Sequence, residues 1–195
     1  MRGKRMIHTL HLFLERNAVK RTEYLRRNVV FRNLGKGCII ENRIVPLYSE
    51  LISIGDNVHL ASGVHLITHD ITHIMINNAE GDCKLSEKIG CIEIGSNVFV
   101  GAYSTILYNV KIGNNVIIGS GSIVTRDIPS NCIAAGVPAR VISSFDEYVE
   151  KRRNETTYPK ELSPKAQEIV MSWQIGVGIV FSEQRTEVMK KEIYD

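Results

Sequence analysis

Branched aliphatic residues recur every six positions from Ile94 to Val124: Ile94, Val100, Ile106, Ile112, Ile118 and Val124. Two positions before each lies a second row, Ile92, Val98, Ser104, Val110, Val116 and Ser122. Gly follows the aliphatic position at Gly95, Gly101, Gly113 and Gly119. A six-residue period does not match the ~3.6-residue turn of a helix, but it is a multiple of the two-residue β repeat. Strands can carry it if the chain turns once per hexad. A solenoid of very short strands joined by tight turns, a parallel β-helix, satisfies both requirements.

The same rows occur earlier, at Ile54, Leu60 and Leu66 with Ile52, Val58 and Val64 before them, and in a degenerate form at Leu34, Ile40 and Pro46. They fail between Ile67 and Cys91 and then resume. Three segments are therefore expected: a helical cap over 1–29, a β-helix over 30–142 with a loop excursion over 67–91, and a helical extension over 143–195. Long excursions from compact repeats are uncommon and usually functional. Met6, Leu10, Phe13 and Leu14 have helical spacing and are expected to cover the open end of the solenoid. Ser143-Ser144-Phe145-Asp146-Glu147 signals a helix start, and Ser163-Pro164 signals another for a helix from Ala166 to about Trp173.

Composition is that of a soluble globular protein: 195 residues, 44% hydrophobic, with no apolar run long enough to span a bilayer. The N-terminus lacks a small-residue cleavage site, so no signal peptide is expected. Cys38, Cys83, Cys91 and Cys132 show no CxxC spacing. Free thiols in a cytoplasmic protein are expected, with a Cys83–Cys91 disulfide as the alternative. Charge is uneven. Residues 1–36 carry ten Lys/Arg against two Asp/Glu, a balance of +8, in a chain of net charge +3. Without aromatic interleaving or a nucleic-acid module this reads as a solvated helix face, with no nucleic-acid partner. Loose association with a membrane surface stays open.

Two motifs stand out between Ile92 and Ile142: Gly119-Ser120-Gly121-Ser122-Ile123-Val124-Thr125-Arg126-Asp127-Ile128-Pro129 and Ala134-Ala135-Gly136-Val137-Pro138-Ala139-Arg140-Val141-Ile142. With them the stretch resembles the C-terminal half of the hexapeptide-repeat acyltransferases, and is most similar to the maltose and galactoside O-acetyltransferases and their relatives in polysaccharide biosynthesis. The resemblance covers about residues 30 to 145. It implies a left-handed parallel β-helix, a homotrimer with active sites between subunits, and acetyl-CoA as cosubstrate with no metal. It further implies acetyl transfer to a hydroxyl of a sugar, glycan or sugar-containing metabolite.

Acetyl transfer to a hydroxyl needs a base with a pKa near the working pH, which a neutral imidazole supplies. Of the six histidines, His8 and His11 fall in the N-terminal helix, and His59 and His65 fall inside hexads at outward positions. His69 follows the last hexad, where the excursion begins. The resemblance puts the catalytic His there, with His73 as the reserve. Asp70 either orients that base or turns the loop. The resemblance also implies an oxyanion-stabilising amide at Ala102 and donor contacts at Ser120, Thr125, Arg126 and Arg140. Arg126 replaces the relatives' Lys. The resemblance places acceptor contacts near Glu41 and Ser49, with Phe99 where relatives often carry Trp.

Three other functions fit parts of the pattern. An antibiotic acetyltransferase would share the fold and base. A γ-carbonic-anhydrase-like metalloenzyme would use His65, His69 and His73 as ligands. A non-catalytic β-helix scaffold would have no use for the donor motifs.

Overall fold

The structure is a computed structural model that describes residues 2–81 and 84–154. The expected helix at Ala166 and the Cys83 partner of the candidate disulfide lie outside those residues.

Each hexad forms one short strand, and three hexads make one coil. The first face stacks Asn33–Leu34, Ile52–Ile54, Ile92–Ile94 and Val110–Ile112 in parallel. The second stacks Ile39–Ile40, Val58–Leu60, Val98–Val100, Val116–Ile118 and Cys132–Gly136. The third stacks His65–Leu66, Thr105–Ile106 and Ile123–Val124. Ile94 pairs with Ile112, Val100 with Ile118 and Ile106 with Val124, each eighteen positions on. Like residues therefore stack into columns.

Alternation along a strand sends i and i+2 to the same side, so both hexad rows point inward. Ile52, Ile92, Val100, Ile106, Val116, Ile118 and Val124 are fully buried. Ser104 and Ser122 occupy the inner row at a corner and are buried too. Both hydroxyls donate to the Gly119 carbonyl, at 3.0 and 2.6 Å. A buried hydroxyl left unpaired would destabilise the core; these two tie neighbouring coils together.

Another corner is a ladder of asparagines. Asn57, Asn97, Asn115 and Asn131 all have φ between 53° and 61°, the left-handed region that Asn tolerates best after Gly. Each side-chain amide donates to the next carbonyl oxygen, at 2.9, 2.9 and 2.8 Å.

The outward positions differ by face. On the first face they are Asn33, Ser53, Glu93 and Lys111, with Lys111 Nζ 3.4 Å from Glu93. On the second they are Ile39, His59, Phe99, Ile117 and Ile133.

The excursion leaves the register intact, because Ile54, Leu60 and Leu66 pair with Ile94, Val100 and Ile106, each forty positions on. The chain leaves after the third face. There His69–Asp70 pairs antiparallel with Lys88–Ile89, and a helix Thr72–Ala79 lies between them.

The N-terminal segment differs from expectation. It is two helices, α1 (Arg2–Leu14) and α2 (Ala18–Arg27), broken at Asn17, whose side chain caps α2 by accepting from Lys20 N. Met6, Leu10, Phe13 and Leu14 are exposed, between 54% and 74%. The residue that enters the core from α1 is Leu12, beside Leu25 of α2. The apolar stripe thus faces away from the solenoid. Helical spacing identifies a stripe but does not say what it meets.

At the other end Ala139–Ser144 returns antiparallel to Cys132–Gly136. A helix, Phe145–Arg153, follows. As the sequence signals, Ser144 starts it: Ser144 Oγ accepts from Glu147 N at 3.1 Å, and Glu147 Oε2 from Ser144 N at 3.0 Å, a reciprocal capping box.

Candidate active site

The third face and its two corners collect most of the expected site residues. At one corner Ser62-Gly63, Ala102-Tyr103 and Ser120-Gly121 stack in successive coils, joined by Tyr103 N to Ser62 O at 3.0 Å and Gly121 N to Ala102 O at 2.8 Å. The stacking is tight: a Cβ on Gly101 would lie 2.4 Å from Ser120 N. Ala102 and Ser120 therefore share one edge of the face. At the other edge Ile67 N donates to Ile106 O and Leu107 N to Val124 O. This register places Thr68, Tyr108 and Arg126 over the same corner of successive coils, with His69 one residue beyond Thr68. Thr125 and Arg126 are exposed there. Arg140 is exposed on the return strand opposite Ala135, and its guanidinium donates to Ala139 O at 2.9 Å.

His69 is half-buried on the excursion hairpin, opposite Ile89. Among the described residues its Nδ1 and that of His73 are buried and make no hydrogen bond. The ring of Tyr48 meets His69 edge-on, with centroids 5.8 Å apart and planes at 80°. Tyr48 has a left-handed backbone, φ 51° and ψ 44°, and its hydroxyl donates to Glu87 Oε2 at 2.9 Å. Next to it, Thr68 Oγ1 donates to Leu47 O at 2.5 Å. Chemistry-bearing residues from before the first full coil and from both ends of the excursion thus converge on His69. Tyr48 and Glu87 were not among the expected residues, since neither falls in a motif.

Asp70 is committed elsewhere. Its Oδ1 accepts from Thr72 N at 2.8 Å, at the start of the excursion helix, and its Oδ2 from Tyr108 OH at 3.2 Å. These bonds, the Thr72 amide first, hold its carboxyl below the usual value. Asp70 thus accepts at the point where the chain turns into the excursion helix. Ser49 is buried next to Tyr48 and opens the short 3₁₀ turn Ser49–Leu51.

Glu41 and Phe99 are brought together on the second face through His59. Glu41 Oε2 accepts from Ser62 Oγ at 2.6 Å, and Glu41 Oε1 lies 3.1 Å from His59 Nε2. The Ser62 hydroxyl, then His59, hold Glu41 below its ordinary pKa. The His59 and Phe99 rings meet edge-on at 5.4 Å. Periodicity shows that His59 points outward but not that Glu41 stands one coil away. His8 bonds Tyr24 OH at 2.9 Å, and His11 stacks on the Tyr24 ring at 3.6 Å. His65, His69 and His73 lie on three different elements. No group of three or more metal-ligating side chains occurs among the described residues.

A solenoid of stacked hexads, with a histidine excursion at one corner and a glycine-lined turn opposite, defines a class of β-helical transferases. The family model for bacterial transferase hexapeptide (six repeats) matches residues 91–126. Protein CapG of Staphylococcus aureus is 39% identical over 121 residues, 62% of this chain and 69% of CapG. Galactoside O-acetyltransferase of Escherichia coli is 43% identical over 98 residues, 49% of this chain and 45% of that protein's length. The crystal structure of a maltose O-acetyltransferase from Clostridium difficile superposes with a TM-score of 0.57 at 30% identity, covering 73% of this chain and 85% of that one. The chain belongs to the hexapeptide-repeat transferase family, and its solenoid is the left-handed parallel β-helix of that family.

Proposed function

We propose that the protein is an acetyl-CoA-dependent O-acetyltransferase that acts on a hydroxyl of a sugar, glycan or sugar-containing metabolite, with His69 as general base. The observation that carries this reading is the position of His69. It is half-buried at the mouth of the excursion, braced by the Tyr48 ring, with an Nδ1 that makes no hydrogen bond among the described residues. A buried ring nitrogen without a partner is uncommon unless a ligand or a reaction uses it. The similarity to galactoside and maltose O-acetyltransferases supports the acceptor class.

In the proposed reaction the imidazole takes the proton of the acceptor hydroxyl as its oxygen attacks the thioester carbon. The Ala102 amide faces the oxyanion of the tetrahedral intermediate from a neighbouring subunit, since within one chain it stands at the edge of the third face opposite His69. The C–S bond then breaks and the CoA sulfur leaves with a proton returned from the imidazolium. Ser120 and Thr125 flank the third face where the donor arm would run, and Arg126 and Arg140 meet its phosphates. Glu41, with Phe99 and Ser49, contacts the acceptor. No protein-bound acetyl group and no metal are needed, because bound donor and positioned base suffice. The active form is a homotrimer with the acceptor site completed by a neighbouring subunit, working in the cytoplasm where acetyl-CoA is available. Among the described residues Cys38 and Cys132 are buried free thiols and Cys91 an exposed one.

The test is a panel of mono- and disaccharides with acetyl-CoA, following CoA release and product mass. Acetylation of at least one hydroxyl acceptor, lost in His69→Ala, supports the reading. Transfer only to amines, or none with CoA bound, contradicts it.

A further inference from the structure

We infer that α1 is an interfacial helix that docks the protein on an anionic lipid bilayer. The helix has two opposite faces. One is fixed to the solenoid: Leu12 is buried, Arg5 Nε donates to Val45 O at 2.8 Å, and His8 bonds Tyr24 OH. Arg43 donates to the Phe13 carbonyl at 2.9 Å, at the helix C-terminus. Buried Arg21 donates to Glu15 O, Arg16 O and Glu41 O, which locks the α1–α2 junction onto the first coil. With these bonds in place α1 cannot roll its other face inward.

That other face is apolar and exposed. Met6, Ile7, Leu10, Phe13 and Leu14 fall within about a third of the helix circumference, given 3.6 residues per turn, and each is 54–74% accessible. Isolated exposed apolar residues are ordinary, but a contiguous stripe of five marks a contact. Charge selects the occupant. α1 contains three basic residues and no acidic one, and residues 1–36 have a balance of +8. A large apolar stripe on a basic helix of 13 residues suits the plane of a membrane interface. It is too short to cross a bilayer. Anionic headgroups are the complementary surface.

The inference is independent of the proposed chemistry, and the experiment reads binding rather than turnover. The full chain is sedimented with vesicles of phosphatidylglycerol and phosphatidylcholine (1:1) and with phosphatidylcholine alone. Sedimentation equilibrium is run on the same samples without lipid. The expected result is binding to the anionic vesicles that weakens at least about tenfold on neutral ones and falls steeply with added salt. Leu10→Glu/Phe13→Glu, two exposed sites, should abolish binding while leaving the oligomer mass and circular dichroism unchanged. No binding by the wild-type chain, or equal binding to both vesicles, overturns the inference. So does a drop in oligomer mass in the double variant, which would assign the face to a second copy of this chain.

Discussion

The Tyr48 ring stands edge-on to His69 with centroids 5.8 Å apart, while its hydroxyl bonds Glu87 at 2.9 Å. The contact joins a residue before the first full coil to both stems of the excursion. Its left-handed φ of 51° is one that a bulky side chain adopts only when its surroundings hold it. Asp70 bonds Thr72 and Tyr108, so the visible support of the imidazole is the aromatic ring.

Tyr48→Phe keeps the ring and removes the tie to Glu87. A hydrogen bond of roughly 0.5–1.5 kcal/mol corresponds to about a two- to tenfold fall in kcat, with KM for acetyl-CoA unchanged. Tyr48→Ala, which removes the ring as well, should fall further. Carbon-13 spectra of labelled histidine would show the His69 resonance shifting in both variants. An unshifted resonance in Tyr48→Ala would show that the ring does not position the base.

The core predicts a stability effect separate from activity. Ile118→Ala removes a fully buried side chain from the centre of the second face and should cost about 2–5 kcal/mol in a urea titration. Asn97→Ala breaks two rungs of the asparagine ladder and leaves a Cβ residue at φ 58°. It should cost about 1–3 kcal/mol, and Asn97→Gly less, because Gly accepts that backbone freely. Equal losses for Ala and Gly would mean that φ carries none of the effect.

Glu41 predicts a pH dependence. Bonds from Ser62 and then His59 hold its carboxyl below the ordinary 4.5. A depressed carboxylate stabilises the fold above its unfolded pKa and loses that contribution as pH falls through its folded value. The melting temperature of wild type should therefore exceed that of Glu41→Gln near about pH 7, and the gap should close toward about pH 3. A gap that stays constant across this range would show that the charge contributes nothing.

Arg126→Ala and Arg140→Ala should weaken CoA more than a pantetheine fragment, since both guanidinium groups are exposed at the end of the solenoid where the phosphates are proposed to lie. A lost charge-assisted bond of roughly 1.5–3 kcal/mol would appear as a tenfold or greater rise in Kd by calorimetry. Equal losses for both ligands would exclude a phosphate contact.

The hexad rows made the solenoid legible because a strand two or three residues long exposes its alternation directly, and eighteen residues close one coil. The break from Ile67 to Cys91 marked the excursion for the same reason. Its hairpin and helix were not legible, since His69-Asp70 and Lys88-Ile89 are too short to show a period. Site residues inside the motifs, Ala102, Ser120, Thr125 and Arg126, could be placed on the third-face corners by register. Tyr48, Glu87 and the Glu41–His59 contact could not, because each depends on which coil lies above which. The stripe on α1 was visible, but its outward direction follows from Arg5, Arg21 and Arg43 bonding backbone carbonyls, and periodicity does not report such contacts.

The central claim is that His69 is the base. The most direct measurement is kcat for His69→Ala beside His73→Ala, each with acetyl-CoA affinity and oligomer mass determined on the same preparation. Both residues have a buried Nδ1 that makes no hydrogen bond among the described residues, but of the two His69 is the one on the hairpin stem against Tyr48. The account predicts a fall of about 10²–10⁴-fold for His69→Ala with donor binding intact, and a much smaller change for His73→Ala. Full activity in His69→Ala, with turnover lost in His73→Ala or in neither, would contradict it.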